Sequence, residues 1–391
     1  MKKVLIISQA ITQSYYNLLL SSLSECEITI LTGSNIQAKH VVKVPPHNPI
    51  SLRSRLFAWL KYFWCVAKWA KKNKKQRFDL VYATSNPPIN SFICLKLAKL
   101  FKCKSVFMNW DLYPQVIECS INNPVATLIC KLWRNWNRKN FSKIDRMLTL
   151  GDGMAESINE CMDRKIPVNV IPLGVDVDYL RPVRKEDNVF CQENKINKKF
   201  VVLYSGKMGR GHNIELILKT ASKLECYSDI LFLFIGTGEK RSLVEKYISE
   251  NKSKNVKLMD LQSENIFPFS QASGDLCLVS QEKKMAKLFM PSKAYSALAC
   301  GQGIIGICSE NDDLGKLIVK YNVGKVISED NGDYLANCIL YYYKHPNELN
   351  NLGNRARWTA EKYFSLENVS CMYRTLFESI WKKEENRMIK N

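Results

Sequence analysis

Short apolar segments of strand length recur along this chain, and helical patterns separate them in two successive series. Apolar, β-branched runs bounded by turn residues are typical of buried strands. Because strands that alternate with helices pair in parallel and are covered on both faces, each series predicts a doubly wound α/β domain. The expected strands are 3–8, 28–32, 41–44, 79–84, 105–109, 147–150 and 168–172 in the first series, and 200–204, 231–235, 256–259, 276–279, 303–307 and 323–327 in the second.

The domain boundaries follow from these two series. A length of 391 residues exceeds that of one ordinary domain and agrees with two. We expect a first domain over residues 1–180 and a second over 200–365. Residues 181–199 are polar and lack periodicity, which is typical of a linker. A long amphipathic helix is expected over 366–391.

The first strand of the second series ends in a glycine-rich turn that carries cations. Gly206 and Gly209 alternate with Lys207 and Arg210, and His212 follows before a helical pattern begins. Free backbone N–H groups, a helix N-terminus and nearby cations together bind anions, phosphate above all. The spacing matches neither a dinucleotide nor a triphosphate loop, and a packing role for the glycines is the alternative.

Two further elements of the second series also place groups that bind anions at the start of a helix. Gly236 and Gly238 follow the next strand and precede a helix near Glu239. A third helical pattern opens with Ser292 and Lys293 in its first turn. Ligands of doubly wound sheets bind beyond the carboxyl ends of the strands. Three such elements in one domain therefore predict a diphosphate site.

Two polar turns follow strands of the first series, at 84–88 and 109–114. Asp111 is the only acid in the second turn. It is a candidate for positioning a sugar hydroxyl or for steadying a developing positive charge. The alternative is that it caps the turn or the following helix.

Residues 51–78 form the most unusual segment, because they carry nine basic side chains and no acid. One helical row is expected to pack on the sheet, and it consists of Leu52, Leu56, Leu60, Phe63, Ala67 and Ala70. A second row mixes cations and aromatic rings: Phe57, Lys61, Trp64, Lys68, Lys71 and Lys75, with Arg53 near its start. Such a face suits the headgroup layer of an anionic membrane. The alternative is a packed helix with a solvated basic rim. Residues 131–139 repeat the basic and aromatic composition.

Charge and motif content exclude several classes of protein. The formal net charge of +20 favours nucleic acid, an anionic membrane or phosphorylated substrates as partners. No nucleic-acid motif is recognisable, so we expect no nucleic-acid partner.

The 14 cysteines form no C-x-x-C pair, and metal-ligand spacing is absent. The turn after the first strand lacks glycine, which argues against a dinucleotide enzyme. No signal peptide or membrane span is evident, so a cytoplasmic location is expected.

Four segments of the second half resemble a known family in order and in sequence. The segments 204–210, 234–238, 290–295 and 298–301 are similar to the carboxyl-terminal domain of family-4 glycosyltransferases, and the nearest group is the bacterial surface-polysaccharide enzymes. The turns at 79–88 and 109–114 and the segment 169–176 also resemble that group. The resemblance covers most of the chain.

The resemblance implies two facing Rossmann-like domains, the GT-B arrangement, with a last helix that crosses back to the first domain. It places a nucleotide-sugar on the second domain and the acceptor on the first. Lys207 would lie at the diphosphate, and Arg210 or His212 would supply a second cation. The implied donor-binding residues are Gly206, Gly209, His212, Gly236, Gly238, Glu239, Ser292, Lys293, Tyr295 and Ser296. The implied transfer retains the anomeric configuration and needs no metal or other cofactor.

The chain departs from the family pattern at two acidic positions. Many relatives carry a glutamate that holds the ribose where this chain has Ser296, and another where it has Leu288. Glu282 is the nearest upstream acid that could replace them. These departures allow an altered donor site or an inactive relative.

The sequence thus predicts a glycosyltransferase that moves a sugar from a nucleotide-diphosphate donor to a lipid-linked glycan. We expect it to be peripheral on the inner face of the cell membrane, as a monomer or weak homo-oligomer. Two alternatives stay open: a non-catalytic subunit that docks a partner at the membrane, and a nucleotide-sugar epimerase of the same shape.

Overall fold

The computed structural model describes residues 1–47, 52–121, 123–328 and 330–388, and at 52, 53 and 383–388 it describes the backbone alone. The chain divides into two compact units. The first consists of Met1–Gly174 and Glu367–Asn391, and the second of Val175–Leu366. The first boundary therefore lies at residue 174 rather than at the expected residue 180.

Every strand found lies within two residues of a segment that the sequence predicts as a strand. In the first unit the strands are β1 (Lys2–Ile7), β2 (Cys26–Thr32), β3 (Val41–Lys43), β4 (Leu80–Thr84), β5 (Lys104–Asn109), β6 (Arg146–Thr149) and β7 (Val168–Val170). In the second unit they are β8 (Phe200–Ser205), β9 (Ile230–Ile235), β10 (Val256–Met259), β11 (Leu276–Ser280), β12 (Gly303–Ile307) and β13 (Gly324–Ile327).

Helices separate these strands. The first unit contains α1 (Gln13–Ser22), α2 (Leu52–Lys72), α3 (Asn90–Phe101), α4 (Gln115–Glu118), α5 (Pro124–Phe141) and α6 (Asp152–Glu160). The second contains α7 (Val189–Glu193), α8 (Ile214–Lys223), α9 (Arg241–Asn251), α10 (Phe267–Gln271), α11 (Lys293–Ala299), α12 (Asp313–Tyr321), α13 (Gly332–Lys344) and α14 (Pro346–Thr359), and α15 (Leu366–Met388) ends the chain. A 3-10 turn at Lys283–Met285 and a π-helical turn at Ala360–Phe364 complete the described elements.

Both sheets are parallel throughout, as the alternating pattern predicts. Their strand orders are β3-β2-β1-β4-β5-β6-β7 and β10-β9-β8-β11-β12-β13. The central strands are buried on both faces, which is why they read as continuous apolar runs. Two doubly wound parallel sheets confirm the predicted fold class.

The direction of each crossover decides which face of the first sheet a helix covers. The step from β1 to β2 runs toward one edge, whereas the steps from β3 to β4, from β4 to β5 and from β5 to β6 run toward the other. Since such crossovers are right-handed, α1 covers one face, and α2, α3 and α5 cover the opposite face. Each of these three helices begins at the carboxyl edge of the sheet, where the strands end.

The last helix, α15, packs within the first unit through a cluster of buried tyrosines. The Tyr15 hydroxyl is hydrogen bonded to the Tyr82 hydroxyl at 2.6 Å and to that of Tyr373 at 2.7 Å. Burial raises the pKa of all three phenols, so they stay neutral. The cluster joins α1, β4 and α15.

The segment 181–199, predicted to be a linker, is part of the second unit. Asn188 caps the short helix α7 by accepting a hydrogen bond from the Cys191 N–H at 3.1 Å. Phe190 and Cys191 are buried against Val201 and Leu203 of β8. The prediction was wrong because a helix of five residues is too short to show a periodicity.

The packing face of α2 also differs from the predicted one. The buried residues are Ala58, Tyr62, Val66 and Ala70, each four positions after the last. Leu56 and Leu60, expected to face the sheet, are 47% and 57% exposed. Of the predicted row, Ala70 is buried as expected, and the side chain of Leu52 lies outside the described residues.

Candidate functional site

The loop after β8 is held by hydrogen bonds to its neighbours. The Gly206 N–H donates to the Ile235 carbonyl at 2.8 Å, and the Tyr204 hydroxyl donates to the Lys207 carbonyl at 2.9 Å. The side chain of Asn213 then caps α8 by accepting from the Leu216 N–H at 3.1 Å. The loop therefore has a fixed backbone, and the Lys207 side chain is exposed at the carboxyl edge of the sheet.

The loop after β9 interlocks with the loop after β8. Gly236 and Gly238 adopt φ angles of +147° and +140°, which side chains disfavour. A Cβ atom at 236 would lie 2.0 Å from the Gly206 carbonyl oxygen, and one at 238 would lie 2.4 Å from that of Met208. The close approach of the two loops therefore requires glycine at both positions. Gly209 meets no backbone atom within 3.8 Å and is free of this constraint.

Lys293, in the first turn of α11, is half-buried beside the loop that follows β8. Its Nζ atom lies 3.6 Å from the centroid of the Tyr204 ring and donates to the Lys207 carbonyl at 3.3 Å. Burial lowers the pKa of Lys293 to about 7. The structure thus brings Lys207, Gly206 and Lys293 together, as the sequence predicted.

His212 does not supply the second cation that the resemblance implied. Its ring is buried, and its Nδ1–H donates to the carbonyl of Ser280 at the end of β11. Burial, followed by the nearby Lys293 charge, lowers the pKa of His212 to about 3. The imidazole is therefore neutral and ties the loop to β11.

Arg210 and Glu239 form an ion pair across the two loops. The Arg210 Nε atom lies 2.9 Å from the Glu239 carboxylate, and both side chains are more than half exposed. Such a pair contributes about 0–1 kcal/mol in water, so an incoming anion can compete for the guanidinium.

The other predicted residues on α11 differ in their access to a ligand. Ser292 is exposed and Ser296 is half-buried. Tyr295 is buried, and its ring packs edge-on against Phe364 at 5.1 Å. Leu288 is also buried. The helix therefore offers Ser292 and Lys293 at its open end, and it uses Tyr295 for packing.

Sequence reasoning missed Lys240, which bridges several parts of this region. Its Nζ atom lies 2.9 Å from Glu215 and 3.1 Å from Glu282, and it donates to the His212 carbonyl at 2.7 Å. Glu282, the expected substitute for the absent glutamates, also pairs with Lys284 at 3.1 Å. No sequence motif marks Lys240, because its partners lie in two distant segments, at 212–215 and at Glu282. A cavity of about 530 Å³ beside it is lined by residues that include Asn213, Lys240, Glu282, Ile307 and Asp330.

In the first unit, Asp111 lies in the turn that follows β5. The Trp110 N–H donates to the Ser85 hydroxyl at 3.0 Å, which joins this turn to the one after β4. Burial and the nearby Asp111 raise the pKa of Tyr113, and Arg55 lowers it. Asp111 and Tyr113 both belong to this turn, at the carboxyl edge of the first sheet.

The predicted basic and aromatic row on α2 is exposed. It comprises Phe57, Lys61, Trp64, Lys68, Lys71 and, beyond the end of the helix, Lys75. The side chain of Arg53 lies outside the described residues. Among the helices that the structure describes, none is both long and apolar enough to traverse a bilayer.

Two doubly wound parallel-sheet units are the architecture of the GT-B class, and solved structures similar in fold include glycosyltransferases of that class. No family model matches the chain. It is 25% identical over 313 residues to "Probable glycosyltransferase WbjE" of Pseudomonas aeruginosa. The matched region covers 78% of this chain and 76% of that protein. It is 26% identical over 196 residues to "Putative colanic acid biosynthesis glycosyl transferase WcaI" of Escherichia coli K12, and the matched region covers 48% of this chain and 47% of that protein.

Solved structures support the fold. Sucrose-phosphate synthase from Thermosynechococcus elongatus has a TM-score of 0.79 at 15% identity and covers 98% of this chain and 100% of that one. HepE of Anabaena, solved with UDP-glucose, has a TM-score of 0.73 at 12% identity and covers 97% of this chain and 100% of that one. These structures show the shared fold. The two relatives WbjE and WcaI confirm the predicted resemblance to bacterial polysaccharide glycosyltransferases, and they support glycosyltransferase activity in polysaccharide biosynthesis.

Proposed function

We propose that this chain transfers a sugar from a nucleotide-diphosphate donor to a lipid-linked glycan during surface-polysaccharide synthesis. One observation carries the proposal: Lys207, Lys293 and two glycine loops lie close together at the carboxyl edge of the second sheet. Anionic ligands of doubly wound sheets bind at such an edge. The UDP-glucose complex of HepE, which shares the fold, supports a nucleotide-sugar as the donor.

The proposed chemistry depends on the leaving diphosphate. Breaking the bond between the sugar and the diphosphate places additional negative charge on the phosphate oxygens. Lys207 and Lys293 supply positive charge there, and the hydrogen bonds of the Lys207 carbonyl fix the backbone that carries it. We further propose that Asp111 contacts the sugar or the acceptor, that the transfer retains the anomeric configuration, and that it needs no metal.

The proposed acceptor is lipid-linked, and the proposed location is the inner membrane surface. The exposed row on α2 supports both, because cations beside aromatic side chains are typical of proteins that lie on anionic leaflets. The cations of the row are Lys61, Lys68, Lys71 and Lys75.

One specific observation favours a second candidate function. Leu288 is buried and Ser296 is half-buried where relatives carry glutamates, and Glu282 already pairs with Lys240 and Lys284. A chain that holds the ribose weakly could act as a non-catalytic subunit that docks a partner transferase at the membrane.

A product assay with the purified chain tests the proposal. A thermal-shift screen of nucleoside diphosphates and their sugars first identifies the donor, because a ligand that binds only the native state raises its stability. That donor is then incubated with the chain, with and without a lipid-linked saccharide. We expect transfer only when the acceptor is present. Conversion of the donor without acceptor would indicate an epimerase, and binding without turnover would indicate the accessory subunit.

A further inference from the structure

A cavity of about 720 Å³ lies at the amino edge of the first sheet. Its lining includes Lys3 and Glu27 near the starts of β1 and β2, and Arg77 shortly before β4. The carboxyl end of α2 borders it through Trp69. The turn that contains Asp111 follows a strand and so lies at the opposite edge of the sheet. The cavity is therefore separate from the candidate site residues, and its volume suits a small organic ligand.

Cations outnumber acids around this cavity. Lys3 and Glu27 are paired residues of neighbouring strands, and the Lys3 Nζ atom lies 3.0 Å from the Glu27 carboxylate, so these two charges offset each other. Lys39 and Arg77 also line the cavity and are exposed. Neither forms an ion pair within the part of the chain that the structure describes. His40 adds an imidazole beside Lys39. The remaining positive charge favours an anion, and a guanidinium is well suited to phosphate.

One part of the lining is aromatic and held in place. Trp69 is half-buried, and its ring centroid lies 6.2 Å from that of Phe78 and 6.3 Å from that of Phe101. The rings of Phe78 and Phe101 are themselves 4.9 Å apart. Val41 and Val42 of β3 add apolar surface to the same cavity. A fixed indole that borders a cavity provides a flat surface on which a planar group can stack.

The neutral polar side chains of the lining are largely bonded to their own neighbours. The Gln76 amide donates to the Asn73 side-chain oxygen at 2.9 Å, and the Asn73 amide donates to the Trp69 carbonyl at 2.8 Å. Thr29 contributes one hydroxyl from β2. A saccharide would bury several hydroxyls here with few partners, which is costly, whereas an aromatic base buries mainly its apolar faces. The lining therefore favours a base over a sugar.

We propose that this cavity is a second ligand site, which binds a nucleoside phosphate. Lys39 and Arg77 bind the phosphate group, and the base stacks on Trp69. Every residue of the site belongs to the first unit, so the inference is independent of the proposed transfer reaction and of Lys207 in the second unit. Because the ligand contacts both the strand starts and the end of α2, its binding stabilises the folded chain.

Calorimetric titration of the full chain with AMP and with UMP tests the phosphate contacts. The variant Lys39→Gln, Arg77→Gln is compared with Lys99→Gln, Lys143→Gln, which removes two exposed lysines of the same unit that do not line the cavity. We expect the cavity variant to bind both nucleotides at least about tenfold more weakly, because hydrogen bonds to charged groups are lost. The control has the same net charge as the cavity variant and should bind like the unmodified chain. Equal losses in the two variants would overturn the site, because they would show an effect of net charge alone.

Two substitutions of Trp69 test the stacking of the base. Trp69→Phe keeps a smaller ring and Trp69→Leu keeps none, so AMP affinity should fall in that order, by about tenfold for the leucine variant. Inorganic phosphate should bind both variants as it binds the unmodified chain. Thermal unfolding without ligand identifies any loss of fold. If inorganic phosphate bound the unmodified chain as tightly as AMP, the cavity would hold only an anion and the proposed ligand class would be wrong.

A nucleotide could also bind at the proposed donor site, so Lys207→Ala is titrated alongside. AMP binding that Lys207→Ala retains and the cavity variant loses supports the second site, even if the chain transfers no sugar. Binding that Lys207→Ala abolishes and the cavity variant leaves unchanged would overturn the second site while supporting the donor site. The absence of binding by the unmodified chain to either nucleotide would also overturn it.

Discussion

The two units use the same kind of sheet, yet they hold their cations differently. In the second unit, Lys293 is enclosed beside Tyr204 and bonds to the Lys207 carbonyl. In the first unit, Lys61, Lys68 and Lys71 stand in an exposed row along α2. Cations placed one by one around a loop suit a small, highly charged ligand. Cations spread along a helix suit an extended surface, where none of them needs a fixed partner.

The difference has an energetic consequence. A cation in a desolvated pocket acts on a bound charge with little screening, so its removal is costly. An exposed cation acts through water and salt, and it contributes about 1 kcal/mol near an anionic leaflet. Substitutions in the second unit should therefore have large individual effects, and those on α2 should have small effects that add together.

The largest expected effect is that of Lys207→Ala on sugar transfer. We expect kcat to fall by about 10²–10³-fold, because a charge that stabilises the departing diphosphate lowers the barrier by about 2.7–4 kcal/mol. Lys219→Ala, which removes an exposed lysine from α8, is the matched control and should leave the rate unchanged. A loss of only a few-fold for Lys207→Ala would contradict the proposed donor site. Single cations would then have effects of similar size in the two units.

A smaller effect is expected from Lys293→Met, and it depends on pH. The pKa of Lys293 is about 7, so the side chain loses its proton between about pH 6 and 8. Affinity for a nucleoside diphosphate should fall over that range in the unmodified chain, measured by calorimetry. The variant should bind more weakly at pH 6 and show no such slope. His212, with a pKa of about 3, stays neutral throughout and cannot cause the slope.

Stability provides an independent check on Lys293. The folded-state pKa lies below the unfolded value of 10.5, so between about pH 7 and 10.5 the unfolded chain binds more protons. The free energy of unfolding contributed by this group therefore rises with pH over that window. The difference in Tm between the variant and the unmodified chain should shrink or reverse as pH rises. A constant difference would show that Lys293 does not titrate there.

Regular elements were predictable because apolar runs reveal them directly. Strand β9 reads as Ile-Leu-Phe-Leu-Phe-Ile and is buried along its whole length. The positions of the two cations were also predictable, since Lys207 directly follows strand β8, Lys293 opens a helix, and both occur in a recognisable order. In these places the sequence pattern and the local structure carry the same information.

Other features depend on tertiary contacts that a pattern does not contain. Helix α2 offers several helical rows, and the larger leucines made the wrong row look like the packing face. His212 reads as a cation in sequence, but burial and the Ser280 carbonyl make it neutral. Tyr295 follows Lys293 by two positions, and its contact with Phe364 turns it into a packing residue. Each of these outcomes depends on a partner distant in the chain.

The smallest expected effects concern single lysines of α2, and they test the comparison most directly. Lys61→Gln, Lys68→Gln and Lys71→Gln should each lower binding to anionic vesicles about fivefold at low salt, because each lysine contributes about 1 kcal/mol. The effects should multiply in the triple variant and vanish at high salt, where the charges are screened. Lys246→Gln on α9 serves as the control from the second unit. If one lysine alone accounted for the whole loss, α2 would hold a single headgroup in a defined site, as we propose for the diphosphate in the second unit. Equal and multiplicative losses would establish the row as an extended electrostatic surface.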